Sequence, residues 1–149
     1  MSSYINAQHV FLDNPATTVD EVFAFLSDKA VELGISDDRD AVLEAFKARE
    51  ALGSTGMTGG FAIPHAKTNA VKGAALAAVK FTNAIDWKSM DGEPIKAAVA
   101  LFAPASDPTT YLSLLSKVAV LLHEESFRTA VFATNDPAVI AALVEAGLD

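Results

Sequence analysis

Residues 74–103 read AALAAVKFTNAIDWKSMDGEPIKAAVALFA, and this stretch decides the fold class. Ala74–Thr82 and Ala97–Ala103 are runs that are apolar on both faces, which is typical of strands buried inside a sheet. Asp91-Gly92 lies between them and predicts a turn. A shorter strand is expected to begin within Tyr4–Leu12 and to end near Asp13-Asn14-Pro15, and another is expected over Phe61–His65, where Pro64 interrupts the run. The centre of the chain therefore predicts a sheet that is covered on both sides.

Helical signals flank these strands. Thr18 and Glu21 have the spacing of a capping box, and apolar residues follow at helical spacing as far as Leu33. A second helix is expected to begin after Asp37 or Asp38. Three more are expected in the last third of the chain: from Asp107-Pro108, around Glu124–Phe132, and over Ala138–Ala146 after Asp136-Pro137. Strands interleaved with helices predict an α/β sandwich.

The composition indicates one folded domain over residues 1–149. The chain is 51 % hydrophobic and 20 % charged, which predicts a packed core rather than disorder. Its net charge of −8 argues against a nucleic-acid partner, because such proteins usually carry a basic face. There is no cysteine, so disulfides, cysteine metal ligands and a thiol nucleophile are excluded. No secretory leader and no apolar run long enough to span a bilayer is present, so we expect a cytoplasmic protein without membrane insertion.

Histidine is scarce, so only three histidines are candidates for a catalytic or metal-binding role. His9, His65 and His123 do not have the spacing of metal ligands, so no metal or other cofactor is expected. The glycine-rich segment 53–60 lacks both the Walker A motif and the dinucleotide-binding fingerprint, so a nucleotide site is poorly supported. His65 is the exception, because it ends a short strand directly after a proline, where rigid scaffolds display reactive groups.

His65 has two interpretations on local grounds. One imidazole nitrogen carries a free lone pair at neutral pH and can attack phosphorus, which forms a labile bond between nitrogen and phosphorus. The alternative is an ordinary surface or capping histidine, and the local pattern by itself favours that alternative. The choice of reacting nitrogen depends on the hydrogen bond that the other nitrogen makes, so it stays open.

A larger pattern resembles a known family. Arg49-Glu50, residues 53–56 (GSTG) and residues 61–67 (FAIPHAK) resemble the active-site region of the fructose/mannitol-type EIIA domains, EIIA type 2, of the bacterial sugar phosphotransferase system. Residues 87–95 (WKSMDGEPI) resemble the fructose branch, and the likeness runs from the helix after Thr18 to the final helix. The combination of these pieces is specific, whereas each piece alone is a weak signal.

The resemblance implies a fold and a reaction. The implied fold is a single-domain α/β/α sandwich with a mixed, largely parallel sheet of about five strands and helices on both faces. The implied role of His65 is to accept a phosphoryl group from phospho-HPr and to pass it to a cysteine on EIIB, while membrane EIIC moves a fructose-like sugar. The absence of cysteine agrees with this reaction, since the next carrier must then be another chain.

Four further residues are implied at the site. Arg49 would bind phosphate oxygens through paired hydrogen bonds, and a solvated cation at a helix end is the alternative. Ser54 and Thr55 would donate hydrogen bonds to phosphate or merely close the loop. Tyr111 stands where members of the family usually carry a second histidine, or it is only an aromatic at the edge of the core. Tyrosine can donate a hydrogen bond but cannot become a cation near neutral pH, so any charge-neutralising role of that histidine is lost here.

Two rival functions stay open. A regulatory EIIA of the nitrogen-related branch would use the same histidine to switch binding partners, although residues 67–71 and 87–95 favour the sugar branch. A non-phosphorylated interaction domain is the second rival, and Tyr111 is its best support.

Overall fold

One sheet of five strands forms the centre of the computed structural model, which describes residues 4–148. The strands are β1 (Val10–Asn14), β2 (Phe61–Ala62), β3 (His65–Lys67), β4 (Ala75–Ile85) and β5 (Ile95–Ala103). β1 lies beside β4 and β4 beside β5, and both β2 and β3 pair with the far edge of β5. Within the described range the β4–β5 pair is antiparallel and the other three pairings are parallel.

The two long strands bury both of their faces. On β4, Leu76 and Ala78 belong to one hydrophobic core, whereas Ala77 and Val79 belong to the other. Successive side chains of a strand point to opposite faces, so an unbroken apolar run is covered on both sides. The prediction of buried strands is confirmed for Ala75–Val79 and for β5 apart from Lys96, whereas Lys80 and Phe81 are half-buried and residues 82–84 are exposed before β4 ends at Ile85.

Helices cover both faces of the sheet. The helices found in residues 4–148 are α1 (Val19–Glu32), α2 (Arg39–Leu52), α3 (Pro108–His123), α4 (Glu125–Ala133) and α5 (Pro137–Gly147). α1 and α2 pack on one face, and α3, α4 and α5 pack on the other. Thr18 caps α1 in a full capping box with Glu21, and aspartates at 38, 107 and 136 cap α2, α3 and α5. A cap of this kind stabilises the helix by about 1 kcal/mol. The cap residues are local in sequence, so the starts of these helices could be predicted from them.

Ile63 and Pro64 interrupt the edge of the sheet between β2 and β3. Pro64 has no N–H group, but its carbonyl accepts a hydrogen bond from the N–H of Leu101 at 2.9 Å. The pairing with β5 has the same register before and after the interruption. The break therefore keeps the chain at the sheet edge and brings His65 to the start of β3.

The predicted fold class is confirmed: a mixed, mostly parallel sheet of five strands, in the part of the chain described, lies between two helical layers. The first strand ends at Asn14, where Asp13-Asn14-Pro15 predicted its end, but a 3-10 turn at Ala7–His9 precedes it, so that β1 begins only at Val10. The domain of residues 1–149 stays a prediction, and residues 1–3 and 149 lie outside the described residues. Between residues 4 and 148, no helix has the length and apolar character needed to cross a membrane.

Candidate functional site

The His65 ring is buried at the start of β3, with only 5 % of the residue exposed. Nδ1 lies 2.6 Å from the backbone oxygen of Ile63. A carbonyl oxygen only accepts, so Nδ1 carries the proton and donates it. Nε2 is then the nitrogen with the free lone pair, and no group in residues 4–148 forms a hydrogen bond with it. One imidazole nitrogen is thus held and the other is available to react.

Burial keeps the His65 ring neutral. Loss of water around the ring is the largest effect and lowers its pKa from the usual 6.5, and the positive charges of Arg49 and Lys67 lower it further. The hydrogen bond to Ile63 and the negative charge of Glu50 act in the opposite direction but do not outweigh the lowering. At pH 7 the ring is therefore a neutral nucleophile rather than an imidazolium ion.

We expect His65 to titrate with a midpoint below 6.5 in the folded protein. Since its folded-state pKa is below the unfolded value, the folded protein binds fewer protons than the unfolded chain. The stability that neutral His65 contributes is present above pH 6.5 and is lost as the pH falls towards the lower folded pKa. An NMR titration of the ring protons measures the midpoint, with a His65→Gln spectrum to assign the signal. A midpoint at or above 6.5 would contradict this expectation.

Arg49 reaches the same site from the last turn of α2, where it is half-buried. Its Nη1 donates a hydrogen bond to the carbonyl oxygen of Gly53 at 2.8 Å, which anchors the guanidinium at the start of the glycine-rich loop. Its positive charge tends to lower the pKa of both His65 and Tyr111. Guanidinium has five N–H donors, so others remain beyond the one on Gly53. Arg49 therefore lies where it can bind an anion held by His65.

Tyr111, in the first turn of α3, packs against His65. The ring centroids are 5.9 Å apart and the ring planes meet at 51°. The ammonium nitrogen of Lys67 lies 5.0 Å from the centroid of the Tyr111 ring, within the range of a cation–π contact. Burial raises the pKa of Tyr111 above its usual 10.0, and the charge and hydrogen bond of Arg49 oppose this only in part. Tyr111 is thus a neutral hydroxyl group beside His65, and it also belongs to the core under α3.

Ser54 and Thr55 use their hydroxyl groups to close the glycine-rich loop. Thr55 Oγ1 donates to the Glu50 carboxylate at 2.6 Å. Ser54 Oγ donates to the backbone oxygen of Lys88 and accepts from the N–H of Gly56 at 3.1 Å. Both hydroxyl protons thus already have a hydrogen-bond acceptor within the protein. Loop closure is therefore what these contacts do, and a phosphate contact stays a prediction for both residues.

Glu50 is a residue of this site to which sequence reasoning assigns no role. Its carboxylate accepts hydrogen bonds from the N–H and the hydroxyl of Thr55 and from the indole N–H of Trp87. An acid in the last turn of a helix is disfavoured by the helix dipole, so it needs another reason to be there. That mismatch is the signal in the sequence that points to Glu50.

The glycine-rich loop packs closely against the loop that carries Trp87. A Cβ added at Gly56 would lie 2.2 Å from the backbone oxygen of Lys88, so only glycine allows this approach. The Asp91 carboxylate also accepts the N–H of Gly59 at 3.0 Å. The two loops support each other beside the end of α2.

The other histidines lie apart from this site. His9 Nδ1 is 2.9 Å from the backbone oxygen of Leu76, and His123 is exposed at the end of α3. Over the described range 4–148, no group of three or more histidine, aspartate or glutamate side chains is placed to hold a metal ion.

The sequence of this chain matches a known family over nearly its whole length. The family model for the phosphoenolpyruvate-dependent sugar phosphotransferase system, EIIA 2, matches residues 3–147. The chain therefore belongs to the EIIA type 2 family, as its motif indicated. Members of this family act as phosphoryl-transfer components of that system.

Individual relatives and solved structures agree with this assignment. The fructose-specific EIIA component of Haloferax volcanii is 38 % identical over 117 residues, which cover 78 % of this chain and 76 % of that protein. The crystal structure of the nitrogen regulatory protein IIA-Ntr from Neisseria meningitidis superposes with a TM-score of 0.87 at 27 % identity, covering 95 % of this chain and 96 % of that one. Mannitol enzyme IIA of Escherichia coli, solved in complex with phosphorylated enzyme IIB, gives a TM-score of 0.79 at 16 % identity, covering 94 % and 96 % of the two chains. At that identity the likeness shows the fold alone.

Proposed function

We propose that this protein carries a phosphoryl group on Nε2 of His65, taking it from phospho-HPr and passing it to a cysteine of an EIIB protein. The observation that carries the proposal is the neutral, buried ring, whose Nδ1 proton is held by Ile63 and whose Nε2 lone pair is unpaired among residues 4–148. The 38 % identity to a fructose-specific EIIA supports a fructose-like sugar, moved by a membrane EIIC. A cytoplasmic location without membrane insertion belongs to the same proposal.

The transfer consists of two substitutions at phosphorus. In the first, the Nε2 lone pair of His65 forms a bond to phosphorus while the bond between phosphorus and the phosphorylated group of HPr breaks. In the second, the EIIB thiolate forms a sulfur–phosphorus bond while the nitrogen–phosphorus bond breaks, and Nε2 regains its lone pair. The proton on Nδ1 stays in place throughout. The Ile63 carbonyl stabilises the positive charge that the ring gains when Nε2 is phosphorylated.

Arg49 and Tyr111 contribute to the same proposal in different ways. Arg49 is charged at every pH in the physiological range, so its guanidinium can offset the charge on the phosphate oxygens. Tyr111 can donate one neutral hydrogen bond to such an oxygen. Because Nε2 is buried, the groups that cover it must move to admit a phosphoryl group, and Tyr111 is one side chain that packs against the ring.

Phosphoenolpyruvate, Enzyme I and HPr together should add one phosphoryl group to the wild-type protein. Intact mass spectrometry measures this gain, which should disappear after brief acid treatment because bonds between imidazole and phosphorus are labile in acid. Omission of HPr is the control and should give no gain. Addition of a fructose-type EIIB should then return the protein to its starting mass and phosphorylate the EIIB cysteine. If the wild-type protein gains no phosphoryl group with cognate HPr, the carrier function is wrong and an interaction domain becomes the better interpretation.

A regulatory, nitrogen-related role is the second candidate, and one observation favours it. The structure superposes on IIA-Ntr of Neisseria meningitidis with a TM-score of 0.87 over 95 % of this chain. Such a protein would accept the phosphoryl group on His65 but use it to change binding partners. The EIIB step separates the two functions: phosphorylation on His65 with no onward transfer to any fructose-type EIIB favours regulation.

A further inference from the structure

The Glu50 carboxylate joins two loops to the end of α2. One oxygen accepts the backbone N–H of Thr55 at 3.0 Å and the indole N–H of Trp87 at 3.1 Å. The other oxygen accepts the Thr55 hydroxyl at 2.6 Å. Thr55 and Trp87 are both buried, so these donors have little access to water. Glu50 therefore holds the Thr55 backbone in one position.

A continuous set of backbone hydrogen bonds leads from this position to the reactive ring. The carbonyl oxygen of Thr55 accepts the N–H of Ile63 at 2.9 Å. The carbonyl oxygen of Ile63 in turn accepts the Nδ1 proton of His65 at 2.6 Å. The N–H and the carbonyl of Ile63 belong to the two peptide planes that meet at its Cα, so a fixed Thr55 carbonyl holds the first plane and constrains the second through only the φ and ψ angles of Ile63. The acceptor that selects the His65 tautomer thus depends on Glu50 through one intermediate residue, Thr55.

Arg49, the neighbour of Glu50 in sequence, does not share these contacts. Within residues 4–148, no salt bridge joins the Glu50 carboxylate to the Arg49 guanidinium. The Glu50 carboxylate accepts hydrogen bonds from the two loops. The Arg49 guanidinium instead donates a hydrogen bond to Gly53 and lowers the pKa of His65 through its positive charge. The two adjacent residues therefore have separate tasks, and the acid does not neutralise the arginine through a direct contact.

We propose that Glu50 is a positioning residue that selects the reactive nitrogen of His65. By holding Thr55 and, through it, the Ile63 carbonyl, Glu50 keeps the proton on Nδ1 and leaves the lone pair on Nε2. The part of this inference that concerns transfer rests on the proposed function, whereas the tautomer of the ring does not.

A carboxylate suits this task because it only accepts hydrogen bonds. All three groups that contact Glu50 are donors. Glutamine has nearly the same shape, but one of its two terminal groups is an NH₂ that can only donate. In a Glu50→Gln variant the donors of Thr55 and Trp87 therefore lose the negative charge that strengthens their hydrogen bonds, and the Thr55 hydroxyl keeps a contact with the new NH₂ only by turning to accept from it.

The test compares Glu50→Gln with Glu44→Gln, which removes an exposed acid from the same helix. Nitrogen-15 NMR of unphosphorylated full-length protein reports which ring nitrogen of His65 carries the proton. We expect wild type and Glu44→Gln to show only the Nδ1–H tautomer, and Glu50→Gln to show a measurable fraction of the Nε2–H tautomer. The rate of phosphorylation by phospho-HPr should fall on the order of tenfold in Glu50→Gln alone, as expected for a misplaced reacting group.

Each possible result of this comparison either supports or overturns the positioning role of Glu50. If the tautomer of Glu50→Gln is the same as that of Glu44→Gln, the inference is overturned, whatever the rates. If the tautomer changes but the rate does not, Glu50 does not position His65 for transfer. If wild-type protein is not phosphorylated at all, the proposed function fails, while the NMR result still stands. Should Glu50→Gln fail to fold, Thr55→Val removes only the hydroxyl donor and should shift the tautomer in the same direction, with Thr55→Ser restoring it.

Discussion

A His65→Gln variant will accept no detectable phosphoryl group from phospho-HPr while keeping its fold. Glutamine can still donate an N–H towards the Ile63 carbonyl, but it has no nitrogen lone pair that can attack phosphorus. Loss of a nucleophile removes the covalent step itself, so the rate should fall by more than about 10³-fold. Intact mass after incubation with phosphoenolpyruvate, Enzyme I and HPr measures the effect.

His123→Gln is the matched control for this variant. His123 is exposed at the end of α3 and lies outside the site, so this change should leave phosphorylation at the wild-type level. Circular dichroism and a urea unfolding curve for each variant check that the fold is kept. A full phosphoryl gain by folded His65→Gln protein would remove His65 from the reaction.

The second large effect is expected at Arg49. In Arg49→Gln the positive charge near His65 is lost, and so is the stabilisation of charge on the phosphate oxygens during transfer. Removal of one such electrostatic group typically costs about 10²- to 10³-fold in rate, and we expect a loss of about that size. Arg49→Lys should recover only part of it, because an ammonium group cannot make paired hydrogen bonds to phosphate. Single-turnover phosphorylation by phospho-HPr measures each rate.

Arg39→Gln is the control for the loss of positive charge. Arg39 lies at the other end of α2, forms surface ion pairs with Asp28 and Asp40, and is not among the charges that act on His65. Its removal should change the rate by less than about twofold, because an exposed pair contributes little. Equal rates for Arg49→Gln and Arg39→Gln would remove Arg49 from the site.

The elements of the fold were predictable because their signals are local. The apolar runs of β4 and β5 indicate burial on two faces, and Thr18 with Glu21 marks the start of α1. The start of the first strand was less predictable, because the 3-10 turn at Ala7–His9, which the Asn6 side chain caps, lies inside the stretch where the strand was expected to begin. The number of strands was predicted from the family resemblance rather than from these patterns.

The candidate site was predictable in part. His65 and Arg49 were identified from the motif, and the structure brings both of them to one place with Tyr111. The hydroxyl groups of Ser54 and Thr55 were expected to bind phosphate or to close the loop, and their observed partners are Lys88 and Glu50. These partners could not be predicted from the sequence. A hydroxyl group can form hydrogen bonds in many directions, and the packing of the folded chain decides which partner lies within reach.

The residues alone predicted an α/β sandwich and a His65 that directly follows a proline, although His65 begins β3 and does not end a strand as predicted. Periodicity, caps and turns act over a few residues, so they can be recognised along the chain. The state of the His65 ring depends in addition on long-range contacts: the burial of the ring, the packing of Tyr111 against it and the charge of Arg49. Desolvation exists only once distant segments have packed together, so tertiary structure lowers the pKa of the ring and keeps it neutral, whereas the carbonyl that holds the Nδ1 proton lies only two residues away at Ile63.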